Sequence, residues 1–285
     1  MIREPVVSGR FYPSSPKELV ATMEACESHE LGVGTRTIEA QGRLRGLILP
    51  HAGYMFSGPV ATWGLRRLGA ERPRPTRLLL LGPKHTPFGA AAAVSLAEGW
   101  RTPLGTVPLD EELRAAVLAT GAFRGDDAAH AQEHSLEVQL PFLQWLYGKD
   151  AFTILPIAIH YADFAECAAL GQALAGVLAR PEFADVPILV SSDFSHETPR
   201  AAAYRLDSEA LDLIERRDAQ AFHSLVVTED RSICGFIPIT VALVALQKRP
   251  LAVRRLTYAT SMDVMPHPRG VGYAAVVMEE VAANA

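Results

Sequence analysis

Four short runs of Leu, Ile and Val constrain this chain more than any other feature. They occupy residues 44–49, 77–81, 152–159 and 186–190, and little polar alternation interrupts them. Successive side chains of a strand point to opposite faces, so an unbroken apolar run leaves no face for water. Such strands must be covered on both sides, and helices supply that cover.

Helices are predicted between these runs. Ser15-Pro16-Lys17-Glu18 reads as an N-cap, a first-turn proline and a reciprocal glutamate. Residues 59–68 have helical character, with Gly69 as a stop, and Asp110 caps a helix through Leu118. Asp163 caps a helix in which Leu170, Leu174 and Leu178 share one face. Residues 200–216 and 239–247 are further helices. Leu136, Leu140 and Leu143 have helical spacing, but Pro141 predicts a kink or break among them. Residues 253–260 alternate and 271–279 are strand-like, which predicts an antiparallel pair around a loop at 261–270. The expected fold is α/β: a central mixed β-sheet with helices on both faces. No linker divides the chain, so one domain is expected over 1–285.

Composition excludes several function classes. Apolar residues make up 49% and charged residues 21%, as in ordinary globular proteins. Net charge is −5, and the arginines are dispersed, so no basic face for nucleic acid is expected. No stretch of about 18 apolar residues predicts a membrane span, and residues 1–5 lack an apolar signal core. Three cysteines cannot make a disulfide framework, so a reducing cytoplasm is the expected compartment.

Ligands in open α/β sheets bind beyond the carboxyl ends of the strands. There the sequence places Pro50-His51-Ala52-Gly53-Tyr54, Gly82-Pro83-Lys84-His85, His160, and Ser191-Ser192-Asp193-Phe194-Ser195-His196. Four of the nine histidines thus follow strand ends, although turns have no preference for histidine. Imidazole is a common metal ligand and titrates near neutral pH, so convergent histidines mean metal binding or proton transfer. Cys234 precedes the apolar stretch 236–246; at a helix N-terminus it would favour a thiolate and serve as ligand or nucleophile. Glu133-His134-Ser135-Leu136-Glu137 opens a helix by spacing, with Glu133 and His134 expected toward solvent. Cys26 and Cys167 lie within amphipathic helices as small core residues. CxxC, HExxH and GxSxG do not occur, and Gly32-Val33-Gly34 lacks the helix and lysine of a phosphate loop.

In order and spacing, these motifs resemble the Memo family, whose bacterial and archaeal members are called AmmeMemoRadiSam system protein B. The resemblance begins with Arg3-Glu4-Pro5-Val6-Val7-Ser8-Gly9-Arg10-Phe11-Tyr12-Pro13. It continues through the motifs at 50–54, 82–85, 102–105, 133–137 and 191–196, and ends at Ile233-Cys234-Gly235. It implies a fold like that of the class III extradiol dioxygenases. It also implies a metal held by His51, His85 and Cys234, with Asp193, His196 and His134 as further cleft residues. Iron is the expected metal, with copper or zinc as alternatives. One position departs from the pattern: Phe236 and Ile237 stand where many relatives carry a histidine just after Cys-Gly.

Three readings follow. The first is a metal-dependent oxidoreductase of dioxygenase type acting on a small organic substrate. In it His196, oriented by Asp193, exchanges protons and His134 steadies a substrate oxygen. The second is a non-catalytic module that binds a peptide or small molecule in the same cleft. The third is a Cys-His hydrolase with Cys234 as nucleophile. The family's bacterial name also implies a functional link to radical-SAM and AMMECR-type proteins.

Overall fold

The apolar runs form the parallel centre of one large sheet. The structure is a computed structural model that describes residues 1–148 and 151–281; residues 149–150 and 282–285 of the expected 1–285 domain lie outside it. In chain order the strands are β1 (Ile2–Arg3), β2 (Arg43–Leu49), β3 (Arg77–Pro83), β4 (Ala92–Val94), β5 (Gly99–Thr102), β6 (Gly105–Pro108), β7 (Arg124–Gly125), β8 (Thr153–Ile159), β9 (Ile188–Ser191), β10 (Leu251–Thr260) and β11 (Gly272–Glu280). The α-helices are α1 (Pro16–Ser28), α2 (Tyr54–Ala70), α3 (Glu111–Leu118), α4 (Gln139–Tyr147), α5 (Phe164–Leu178), α6 (Arg200–Glu215), α7 (Ala219–Thr228), α8 (Phe236–Ala245) and α9 (Ser261–Val264).

The main sheet has the order β10-β11-β2-β9-β3-β8-β4-β7, and β1, β5 and β6 form a small second sheet. Strands β2, β9, β3 and β8 are mutually parallel; Leu49 pairs with Ser191 and Leu81 with Val190 and Ile157. Their carboxyl ends therefore reach one edge together. Strand β11 runs antiparallel to β2 and β10 antiparallel to β11, the pair expected at the end of the chain.

Each parallel strand serves two cores, which explains its unbroken apolarity. Leu47, Leu49, Leu78 and Leu80 pack with α1, α2 and α4 residues such as Met23, Leu65 and Leu143. The alternate residues Ile48, Leu79 and Leu81 pack with Leu174, Phe222 and Ile239 of α5, α7 and α8. The result is an α/β/α arrangement with a mixed sheet in the middle.

Several boundaries differ from the sequence reading. Helix α2 starts five residues early and runs through Gly69, because Gly53 already turns the chain and Pro59 is tolerated inside the helix. Glu133 and His134 lie in irregular backbone and 135–138 form turns rather than opening a helix; α4 begins at Gln139. Pro141 sits in its first turn, where a missing N–H breaks no intrahelical bond, so no kink follows. The caps at Ser15, Asp110 and Asp163 are present, the last as a full capping box. Among the described residues, no helix is long and apolar enough to cross a membrane.

Candidate metal centre

Three chain segments meet at the carboxyl edge of the parallel strands. His51 follows β2 by two residues, and its backbone N–H donates to Asp193 Oδ1 at 2.8 Å, as Ala52 N–H does at 3.3 Å. Asp193 follows β9 in the same way, so its carboxylate ties the two strand ends together. Its backbone N–H donates to Cys234 Sγ at 3.3 Å. Cys234 arrives from α8, through Gly235 as N-cap. A Cβ on Gly235 would stand 2.3 Å from Ser192 Cβ and 2.8 Å from Ser191 O, so glycine lets the chain close onto β9. Cys234 Sγ lies 3.3 Å from His51 Nε2.

His85 follows β3. Its Nδ1 lies 2.9 Å from Glu133 Oε1. A carboxylate accepts, so Nδ1 carries the proton and the neutral ring keeps its lone pair on Nε2. Glu133 is fully buried and accepts also from the backbone N–H of His85, His134 and Ser135. Burial alone would raise its pKa, but these donors outweigh it and hold the carboxyl down at about 2. Glu133 is thus the brace of the site, contrary to its expected place in solvent. His134 is half-buried, its ring stacked on that of His85 at 4.8 Å between centroids and met edge-on by Phe11 at 5.0 Å.

The one-atom ligands of His51, His85 and Cys234 all lie within 4.8 Å of one another. Atoms bound to one ion at roughly 2.0–2.3 Å stand about 3–4 Å apart, so the set fits a metal with small adjustments. His85, Glu133 and His134 form a second such group. In it the Glu133 carboxylate and His85 Nδ1 are already engaged, with each other and, for Glu133, with three backbone N–H groups.

Electrostatics favour neutral donors here. Burial, then the neighbouring His85 and His134, push His51 well below the ordinary imidazole range. Burial also lowers His134, against the pull of Glu133. Asp193 is pushed up to about 6 by burial, opposed by the N–H groups of His51 and Ala52. Burial and the Asp193 carboxyl push the Cys234 thiol well above its usual value. Burial and Asp193 thus oppose the thiolate expected at the helix terminus.

His196 comes to the rim, half-exposed. Ser232, not Asp193, orients it: His196 Nδ1 lies 2.8 Å from Ser232 O, and its backbone N–H donates to Ser232 Oγ at 2.8 Å. Asp193 is occupied by the 51–52 backbone instead. The fourth strand-end histidine, His160, is exposed and belongs to neither three-residue group. Phe236 packs against His223, centroids 5.6 Å apart, which fills the position after Cys-Gly with apolar contact.

Sequence reasoning missed four contributors. Ser191 and Gln139 sit behind His51, Ser232 behind His196, and Glu137 anchors the segment that carries Phe11. The paired glutamates of the 133–137 motif were the available signal for the last.

A family model described as "Memo-like protein" matches residues 3–277. A MEMO1 family protein of Methanopyrus kandleri is 38% identical over 282 residues, covering 97% of this chain and 99% of that one. A MEMO1 family protein of Methanothermobacter thermautotrophicus is 36% identical over 280 residues, covering 96% and 99%. One of Thermotoga neapolitana is 36% identical over 269 residues, covering 93% and 94%. The crystal structure of an uncharacterized protein from Escherichia coli K12 is similar in fold, with TM-score 0.57 at 17% identity over 82% of this chain and 99% of that one.

Proposed function

The chain belongs to the Memo-like family, and on that footing we propose that it is a metal-dependent oxidoreductase of dioxygenase type. The observation that carries this reading is the meeting of His51, His85 and Cys234 with ligand atoms within 4.8 Å. Iron is the metal proposed, with copper and zinc as alternatives that a thiolate makes competitive. When bound, the metal would supply redox equivalents and Lewis acidity for the oxidation of a small organic substrate by dioxygen.

The protein's own groups have separable tasks. Cys234 would give up its thiol proton on coordination, since a cation reverses the burial penalty on the thiolate. Glu133 holds the His85 ring. The Nδ1–H of neutral His196 is spent on Ser232 O, so Nε2 keeps a lone pair at the rim and can take a substrate hydroxyl proton. His134, with Phe11 against it, offers a ring face and edge to an organic ligand. The raised thiol of Cys234 speaks against the hydrolase reading, which needs a thiolate without metal. The cysteines are free, with Cys26 and Cys167 buried, which suits the reducing cytoplasm proposed as its compartment.

The test is anaerobic reconstitution with Fe(II), metal analysis per chain, and oxygen uptake with catechol-like substrates. One metal per chain, lost in Cys234→Ser and His51→Ala, together with substrate-dependent oxygen uptake, is expected. No stoichiometric metal under any loading condition overturns the reading. Stoichiometric metal with ligand binding but no turnover favours the binding module.

A further inference from the structure

Ser191 and Gln139 are buried polar side chains that the chemistry above leaves unused. Ser191 Oγ lies 2.7 Å from Ser135 O, 2.9 Å from Gln139 Nε2 and 2.9 Å from His51 Nδ1. A hydroxyl has one proton and a carbonyl can only accept, so that proton goes to Ser135 O. The amide of Gln139 is fixed as well. Its Nε2 lies 2.9 Å from Pro50 O, another obligatory acceptor, so it is the NH2 end that meets Ser191. The Ser191 oxygen has then only lone pairs to offer His51, and His51 Nδ1 must donate. A neutral imidazole carries one N–H, so Nε2 holds the lone pair, and Nε2 is the nitrogen 3.3 Å from Cys234 Sγ.

We infer that Ser191, held by Gln139 and by the carbonyl of Ser135, is a positioning residue that locks His51 as its Nδ1–H tautomer and presents Nε2 to the metal. This rests on the metal reading above. In water a histidine ring favours the opposite tautomer, with the proton on Nε2. Without the lock, His51 would spend much of its time with a proton on the metal-facing nitrogen, leaving the site one ligand short. His85 has a charged brace in Glu133; His51 has a neutral one, built from two side chains and two carbonyls.

The inference is tested first on metal-free protein, by long-range proton–nitrogen spectra of labelled histidine rings. His51 is expected as the Nδ1–H form. Ser191→Ala should give a substantial Nε2–H population and weaken zinc binding about ten- to hundredfold, read by competition with a chromophoric chelator. Ser191→Thr keeps the hydroxyl and should restore both. Gln139→Met keeps the volume, and should move both readouts in the same direction as Ser191→Ala; it decides the matter if Ser191→Ala does not fold. An Nε2–H form of His51 in the unmodified protein overturns the inference, and so do folded Ser191 and Gln139 variants with unchanged tautomer and zinc affinity. If the unmodified chain takes up no metal yet shows the Nδ1–H form, the function falls and the tautomer lock stands. If metal binds stoichiometrically but the variants bind it equally well, the function stands and the lock falls.

Discussion

At the scale of single residues, the site shows how far one carboxylate can reach. Glu133 accepts hydrogen bonds from the His85 ring and from three backbone N–H groups, so it sets both the ring orientation and the path of 133–135. Glu133→Gln keeps the shape but puts an NH2 group where donors now converge. Metal affinity is expected to fall about ten- to hundredfold, measured by chelator competition; a loss under twofold would show that His85 needs no charged brace. The sequence showed the histidines and the cysteine because those residue types are scarce and follow strand ends. It concealed Glu133, because helical spacing cannot tell a buried acid from a solvated one when the partner, His85, lies 48 residues away. Ser191 and Gln139 were concealed for a related reason: a serine ending a strand and a glutamine opening a helix are ordinary in those places.

At the scale of elements, the site depends on how closely α8 approaches β9. Gly235 permits that approach, and Ser192 Oγ accepts its backbone N–H at 3.1 Å. Gly235 has φ −94°, so alanine is allowed by the backbone and excluded by contact alone. Gly235→Ala is expected to cost about 1–3 kcal/mol through overpacking and to weaken metal binding by displacing Cys234. Urea unfolding with metal titration checks this; unchanged values would mean that α8 shifts freely. The apolar runs made the parallel strands legible, since burial on both faces leaves a signature of its own. The short strands β4, β5 and β7 left none, because two to four residues cannot display a period. Pro141 misled because its effect depends on the turn of the helix it enters, and α4 starts only after the buried turns at 135–138.

At the scale of the whole molecule, the N-terminal segment is clamped to the middle of the chain. Arg3 Nη1 lies 2.6 Å from Glu137 Oε2, and Glu137 also accepts from the N–H groups of Val6 and Val7 and from Tyr12 Oη. The Arg3 guanidinium lies 4.2 Å over the Trp100 ring. Both members of the ion pair are buried, Arg3 at 8% side-chain exposure and Glu137 at 0%. Removing one partner strands the other, so Glu137→Ala is expected to cost about 3–5 kcal/mol. Chemical denaturation of the metal-free protein measures it, and a cost below 1 kcal/mol would make the clamp peripheral. The clamp also delivers Phe11 to the His134 ring, so residues 3–12 form part of the wall beside His85 and His134.

The separation of His51 from Cys234 by 183 positions has a consequence for synthesis. A ribosome releases the first imidazole long before the sulfur, and every unfinished polypeptide up to residue 233 holds an incomplete ligand set. The three-residue group can therefore assemble only after Cys234 has been made.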